Sequence, residues 1–231
     1  IGLVGSEMCI RDSCFTSDRG RIWCYQKKSG EFRLHELPTK ARITSIHAVG
    51  NDNTVVTTDS DGFFLSNLKT NKHIHYSPVT CKELSDQPIL SAYVDRTSEV
   101  WFEQEEPGVV VHFNPATGVV KREQMRVEYS NADRSRPAFH IHEDIHGHVW
   151  VHPYGGGFSY FDRERNCLVP FYDDLGSNNW RFSNKIHAAF SDKQGNLWLC
   201  THSKGLEKVT FRNVPFSMLI PVPHELSLIH I

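Results

Sequence analysis

An all-β fold of repeated four-stranded antiparallel blades is what this sequence predicts, and three observations carry that expectation. The stretch from Phe139 to Asp162 is written again as Ile186 to Phe211: an apolar run meets an Asp, a Gly follows three residues later, then an apolar-Trp-apolar triplet, then a Gly-apolar pair. Asp144 matches Asp192, Gly147 matches Gly195, Trp150 matches Trp198 and Gly157 matches Gly205, all at one step of about 48 residues. An upstream copy keeps the spacing of Asp95, Trp101 and Gly108, with Ser98 in place of the turn glycine. No run shows a helical period or the length of a membrane span, and repeats of this length carrying several short strands mark a β-propeller. About four blades are expected.

The two ends are set aside first. Gly2 to Ser13 reads as a translated transposon-type adaptor: the mosaic end ATG TGT ATA AGA GAC AGN encodes Met-Cys-Ile-Arg-Asp-Ser, and the reverse complement CTG TCT CTT ATA CAC ATC encodes Leu226 to Ile231. Residues 1–13 and 226–231 are therefore expected to be adaptor-derived, and residues 14–225 to be an internal propeller fragment of a longer chain.

In chain order, Thr16-Ser-Asp-Arg-Gly-Arg-Ile-Trp23 fits an Asp-box hairpin turn, in which an Asp caps backbone N–H groups and Gly supplies a positive φ. Ser29-Gly30 and Pro38-Thr39 punctuate the following strands. Ile43 to Val49 reads as the innermost strand of the next blade, Asn51-Asp-Asn53 as its turn, and Thr54 to Thr58 as its second strand, with Val55 in the Trp place. Gly62-Phe-Phe-Leu65 fills the Gly-apolar slot, and the alternating His73 to Tyr76 forms an edge. Trp23 to Val55 is shorter than the repeat by about one strand, so the first blade is degenerate or cut. Pro78 to Pro88 is a connector. Leu90 to Val94, Val100 to Phe102 and Val109 to Phe113 build another blade, with a tight turn at Pro115 to Gly118. Tyr129 to Pro137 and Asp173 to Asn184 are polar connectors around the two clearest blades, and Phe211 to Pro223 begins a further outer strand.

Lys and Arg number 25 against 27 Asp and Glu, which leaves no electrostatic footprint for nucleic acid. Of 6 Cys, Cys9 falls in the adaptor stretch. Cys14, Cys24, Cys81, Cys167 and Cys200 lack paired spacing, which argues against a disulfide framework or a zinc site; Cys24 and Cys200 follow a Trp and read as small apolar strand residues. No nucleophile elbow, phosphate loop or paired carboxylate stands out, so no catalytic residue and no cofactor is assigned.

Strand reversal places the loops between second and third strands on the same rim as the blade-to-blade connectors, while the Asp turns fall on the opposite rim. The first rim gathers Tyr154, Arg134, Arg136, Asn179, Trp180 and Arg181, and these are the expected ligand-binding residues. Aromatic faces beside amides and guanidinium forks suit a neutral or uronic-acid sugar. An inter-blade wedge at Trp180 with solvated arginines is the plainer alternative. Asp144, Gly147, Trp150, Gly157, Asp192, Gly195, Trp198 and Gly205 recur with the fold and read as architectural. His140, His142, His146, His148 and His152 could share faces suited to a borderline metal, but the sister blade has Ala188, Phe190, Gln194, Asn196 and Cys200 there. Strand and turn histidines are the expectation, with no metal assigned.

At Asp144-Ile-His-Gly-His-Val-Trp150, and again at Asp192-Lys-Gln-Gly-Asn-Leu-Trp198 with Gly205-Leu206, the sequence resembles the two-component regulator propeller repeat, and Ser183-Asn-Lys-Ile186 is similar to its usual blade start. The resemblance implies a ring of seven blades, a periplasmic or otherwise extracytoplasmic sensor region of a hybrid histidine kinase anchored in the inner membrane, and an oligosaccharide ligand. It also implies as partners the remaining blades, downstream domains of the same chain and a homodimer, with no chemistry in this fragment. A sialidase- or lyase-like propeller enzyme and a protein-interaction propeller are the competing readings. Blades cut from a ring are expected to leave apolar faces uncovered.

Overall fold

The computed structural model describes residues 12–17, 19–50, 52–125, 140–153, 158–170, 186–201 and 205–210. Every regular element among them is a β-strand, and the strands form five antiparallel sheets. Blade 1 holds β1 (Asp12–Ser17), β2 (Arg21–Gln26) and β3 (Glu31–Glu36). Blade 2 holds β4 (Ile43–Val49), β5 (Asn53–Thr58), β6 (Phe63–Asn67) and β7 (Lys72–Tyr76). Blade 3 holds β8 (Ile89–Val94), β9 (Val100–Gln104), β10 (Val109–Asn114) and β11 (Val119–Gln124). Blade 4 holds β12 (His140–Glu143), β13 (Val149–His152), β14 (Ser159–Asp162) and β15 (Cys167–Pro170). Blade 5 holds β16 (Ile186–Ser191), β17 (Leu197–Thr201) and β18 (Gly205–Val209). Three blades are thus complete with four strands, and two show three strands among the described residues.

Each sheet is a meander, because tight turns join neighbours and each strand pairs with the next. The turn between third and fourth strands illustrates the local cause. Gly30, Asn71, Gly118 and Asn166 each stand four residues beyond the end of the third strand with positive φ, a conformation open to Gly and tolerated by Asn. At its start, Asn67, Asn114 and Asp162 accept backbone N–H groups of the turn.

Alternation along the strands decides which blade a side chain meets. In β9, Val100 and Phe102 face blade 2 while Trp101 faces blade 4; in β13, Val149 and Val151 face blade 3 while Trp150 faces blade 5. Four apolar clusters result, one between each successive pair of blades. The cluster between blades 2 and 3 is aromatic, with Phe63 meeting Tyr76, Phe102 and Phe113 at ring separations of 4.5 to 4.9 Å. Complete burial of each Phe contributes about 1.5–3 kcal/mol. First strands of neighbouring blades lie side by side, β4 with β8 and β12 with β16, as radial packing requires. In blades 2, 3 and 5 that strand carries an irregularity, between Ile43 and Ser45, Ile89 and Ser91, and Ile186 and Ala188. The first of these turns Thr44 so that its hydroxyl donates to the Ile89 carbonyl of blade 3 at 2.6 Å.

Blade 1 corrects the expectation in its phase. Thr16 to Trp23 does form a hairpin, but it joins the second and third strands of its blade and not the first and second. Three observations fix this. Leu37 N donates to Gly20 O as Met125 N donates to Gly108 O, Gly30 N donates to Gln26 O as Gly118 N donates to Asn114 O, and β1 borders β4 as β5 borders β8. Gly20 therefore corresponds to Gly108, and Trp23 lies on a third strand and is no counterpart of Trp101. The missing strand length between Trp23 and Val55 is explained by this shift.

The outward faces of the end blades are less covered. Phe32 on blade 1 and Leu206 on blade 5 are each 61 % exposed, whereas Trp101 and Trp150 inside the array are at 0 % and 2 %.

Candidate functional site

Three arrangements bring chemistry-bearing side chains together. The first is the repeated turn. Asp144 Oδ1 accepts the backbone N–H of His146 at 2.8 Å and of His148 at 2.9 Å, and its Oδ2 accepts the Trp150 indole N–H at 2.9 Å. Asp192 does the same for Gln194, Asn196 and Trp198, and Asp95 for Thr97, Glu99 and Trp101. One carboxylate thus closes the turn and fastens the indole six residues on. Burial pushes the Asp95 and Asp144 carboxyls up, but the hydrogen bonds they accept outweigh it and hold both below the ordinary carboxylate range. The Trp198 indole is the main cause that brings Asp192 down to about 2. Asp144 with Trp150 and Asp192 with Trp198 thus hold the two turns closed around Gly147 and Gly195. Gly147 and Gly195 have φ of +87° and +83°. Ser98 sits in the same place at +65°.

That strain gives a direct prediction. Ser98→Gly should stabilise the protein by up to about 1 kcal/mol, the relief of a left-handed non-glycine residue less the added entropy of the unfolded chain. Urea denaturation of the two proteins checks it.

The second arrangement is the histidine hairpin of β12 and β13. His142 Nε2 meets Ser191 Oγ of blade 5 at 2.7 Å, and burial lowers its pKa against the opposing pull of Asp144. His148 Nδ1 lies 2.9 Å from Asp144 Oδ2. His152, fully buried, accepts the Ile186 N–H at Nε2 over 3.2 Å, which fixes its proton on Nδ1. A Cβ on Gly195 would stand 2.8 Å from His146 Nε2. Of these imidazoles His142, His146 and His152 meet blade 5 while His148 stays on the turn of its own blade, and no group of three or more metal-ligating side chains occurs among the described residues.

The third is a cleft of about 510 Å³ between blades 3 and 4 on the Asp-turn rim, lined by Arg96, Glu143, His146, His148, Tyr160 and Arg163 among others. Two guanidinium groups cross the joint in opposite directions. Arg96 of blade 3 reaches Glu143 Oε1 at 2.8 Å and donates to the Asp144 carbonyl, while Arg163 of blade 4 reaches Asp95 at 3.1 Å, Glu99 at 3.2 Å and Thr97 at 3.1 Å. Asp95 thereby serves its own turn and the neighbouring blade at once. Both arginines of the cleft are matched by carboxylates, so the arrangement holds blades 3 and 4 together. Pairing over such sequence distance left no local signal.

Tyr154, Arg134, Arg136, Asn179, Trp180 and Arg181, the expected ligand-binding residues, lie outside the described residues, as do Gly157 and Phe211 to Pro223. Cysteine pairing is a further correction. Cys14 and Cys24 face each other across β1 and β2 and form a disulfide, where the spacing had argued against a bridge and placed Cys24 as a plain apolar residue. Ten residues apart, the two are joined by strand register, which spacing rules for metal and redox motifs do not register. Cys81, Cys167 and Cys200 are free thiols.

The family of two component regulator propellers matches this chain at residues 181–203. No curated protein sequence matches it. Among solved structures, two extracellular domains from B. thetaiotaomicron, described as belonging to hybrid two component systems, share 16 % and 20 % identity with TM-scores of 0.56 and 0.55. They cover 87 % and 88 % of this chain, which spans 26 % of each of them. Virginiamycin B lyase from Staphylococcus aureus, at 13 % identity and a TM-score of 0.55, covers 87 % of this chain, which in turn spans 67 % of it. At such identities the likeness is one of fold, and the fold common to them is the propeller.

Proposed function

We propose that this chain, whose residues 181–203 match the two component regulator propeller family, is part of an extracytoplasmic sensor region that recognises a glycan-derived ligand and does no chemistry itself. The observation that carries the reading is the repeat, whose aspartates and indoles close turns and fasten strands in blades 3, 4 and 5. The Cys14–Cys24 bridge supports an oxidising location, since such bonds persist outside the cytosol. Anchoring in the inner membrane, a downstream histidine kinase and a homodimer belong to the whole protein and are part of the same proposal. Among the described residues no helix is long and apolar enough to cross a membrane.

Ligand recognition is assigned to the rim carrying Trp180, Arg181, Asn179, Tyr154, Arg134 and Arg136. In the full-length protein, Trp180→Ala should weaken oligosaccharide binding at least about tenfold in calorimetry, as loss of an aromatic anchor does. An unchanged affinity would sink this assignment. Turnover of a chromogenic glycoside panel would instead favour a propeller enzyme.

A further inference from the structure

We propose that the Cys14–Cys24 bridge performs in blade 1 the task that the Asp–indole fastening performs in blades 3, 4 and 5, so that this blade is completed by oxidation. The register of the sheets carries the inference. Once blade 1 is in its observed phase, β1 and β2 are second and third strands, and their pair Cys14 with Cys24 corresponds to Trp101 with His112, Trp150 with Tyr160 and Trp198 with Lys208.

In blades 3, 4 and 5 this pair is a direct side-chain contact across the strands, and in blade 2 it is the apolar pair Val55 with Leu65. Trp101 stacks on His112 at 4.2 Å and 12°, Trp150 tilts against Tyr160 at 5.6 Å, and Lys208 Nζ lies 5.2 Å from the Trp198 ring. The tryptophan in each is also held by the Asp six residues before it. Blade 1 has neither part. Cys14 stands in the tryptophan's place, and without an indole N–H there is nothing at that place for a turn carboxylate to fasten.

Two small thiols would leave the strand pair without the ring contact and without the fastening. A covalent bond between the sulfurs restores the link in the same position, on the side where Cys24 packs with Ile22, Leu37, Ile46 and Phe64. The bond forms when the Cys14 and Cys24 thiols together give up two protons and two electrons to a disulfide-bearing oxidant, which is left as a dithiol. β1 pairs with β2 and with no other strand among the described residues, so the bridge adds a covalent restraint to that ladder and to the packing of β1 beside β4.

The test compares the folded protein before and after a dithiol reductant, using mass spectrometry of cysteine labelling and of amide exchange. Before reduction, Cys14 and Cys24 should resist alkylation even after denaturation. On reduction, amides of β1 and β2 should exchange at least about tenfold faster while those of β9 and β10 do not change, because local opening is controlled by local restraints. The Cys14→Ser/Cys24→Ser and Cys14→Val/Cys24→Val proteins should show the fast exchange with or without reductant, the valine pair retaining packing where the serine pair loses it. Alkylation of both cysteines in unreduced protein, or unchanged exchange of β1 and β2 on reduction, would overturn the inference. It does not depend on saccharide binding: a bridged protein that binds no saccharide leaves it standing and removes the glycan reading.

Discussion

Gly62→Ala should destabilise the protein by about 4 kcal/mol or more. Gly62 opens β6 with φ of +64°, and a Cβ built there would lie 2.1 Å from the Tyr76 carbonyl oxygen and 3.0 Å from the Ser77 Cα. Those atoms are backbone, so no side-chain rotation can relieve the contact. Relief would require β7 to move away from β6 at the point where Phe63 and Tyr76 stack at 4.7 Å against the blade 2 and blade 3 core. Gly30→Ala separates the two causes. Gly30 has nearly the same φ, +71°, yet nothing lies within 4 Å of its added Cβ, so only the left-handed strain of about 1–2 kcal/mol applies. Equal losses for the two variants in urea denaturation would show that the backbone contact is not what makes Gly62 necessary.

Asp144→Ala should cost about 3–5 kcal/mol, because it leaves two turn N–H groups and a buried indole N–H without an acceptor. The carboxylate is fully buried, and the Trp150 that it holds is 2 % exposed at the joint with blade 5. Water cannot readily take its place. Asp144→Asn should fall between, since one amide oxygen can still accept the turn N–H groups while the amide nitrogen cannot serve the indole. Equilibrium denaturation read by tryptophan fluorescence measures both. A loss under 1 kcal/mol for the alanine variant would mean that the turn closes without its aspartate.

Propeller phase also bears on how the chain associates. The outward faces of blades 1 and 5 bear Trp23, Phe32 and Leu34, and Phe190 and Leu206, at positions of the kind that face another blade inside the array. Exposed side chains of this kind give each end of the array an apolar surface on which another surface can pack.

What the sequence by itself determined is everything written within a single turn. Asp144 to Trp150 spans seven residues, and within it the carboxylate finds two N–H groups and an indole without help from elsewhere, so the repeat could be read directly from spacing. The same holds for the strands from Ile43 to Val49 and from Val109 to Phe113, whose patterns matched their observed pairing. Only the tertiary structure decided which hairpin a turn belongs to. Every blade contains several chemically similar hairpins, so Thr16 to Trp23 could be recognised as a turn but not assigned its place until β1 was seen beside β4. It likewise decided that Cys14 meets Cys24, and that Arg163 reaches back 68 residues to Asp95, because contacts of that kind are set by register and blade packing and leave no mark on neighbouring residues.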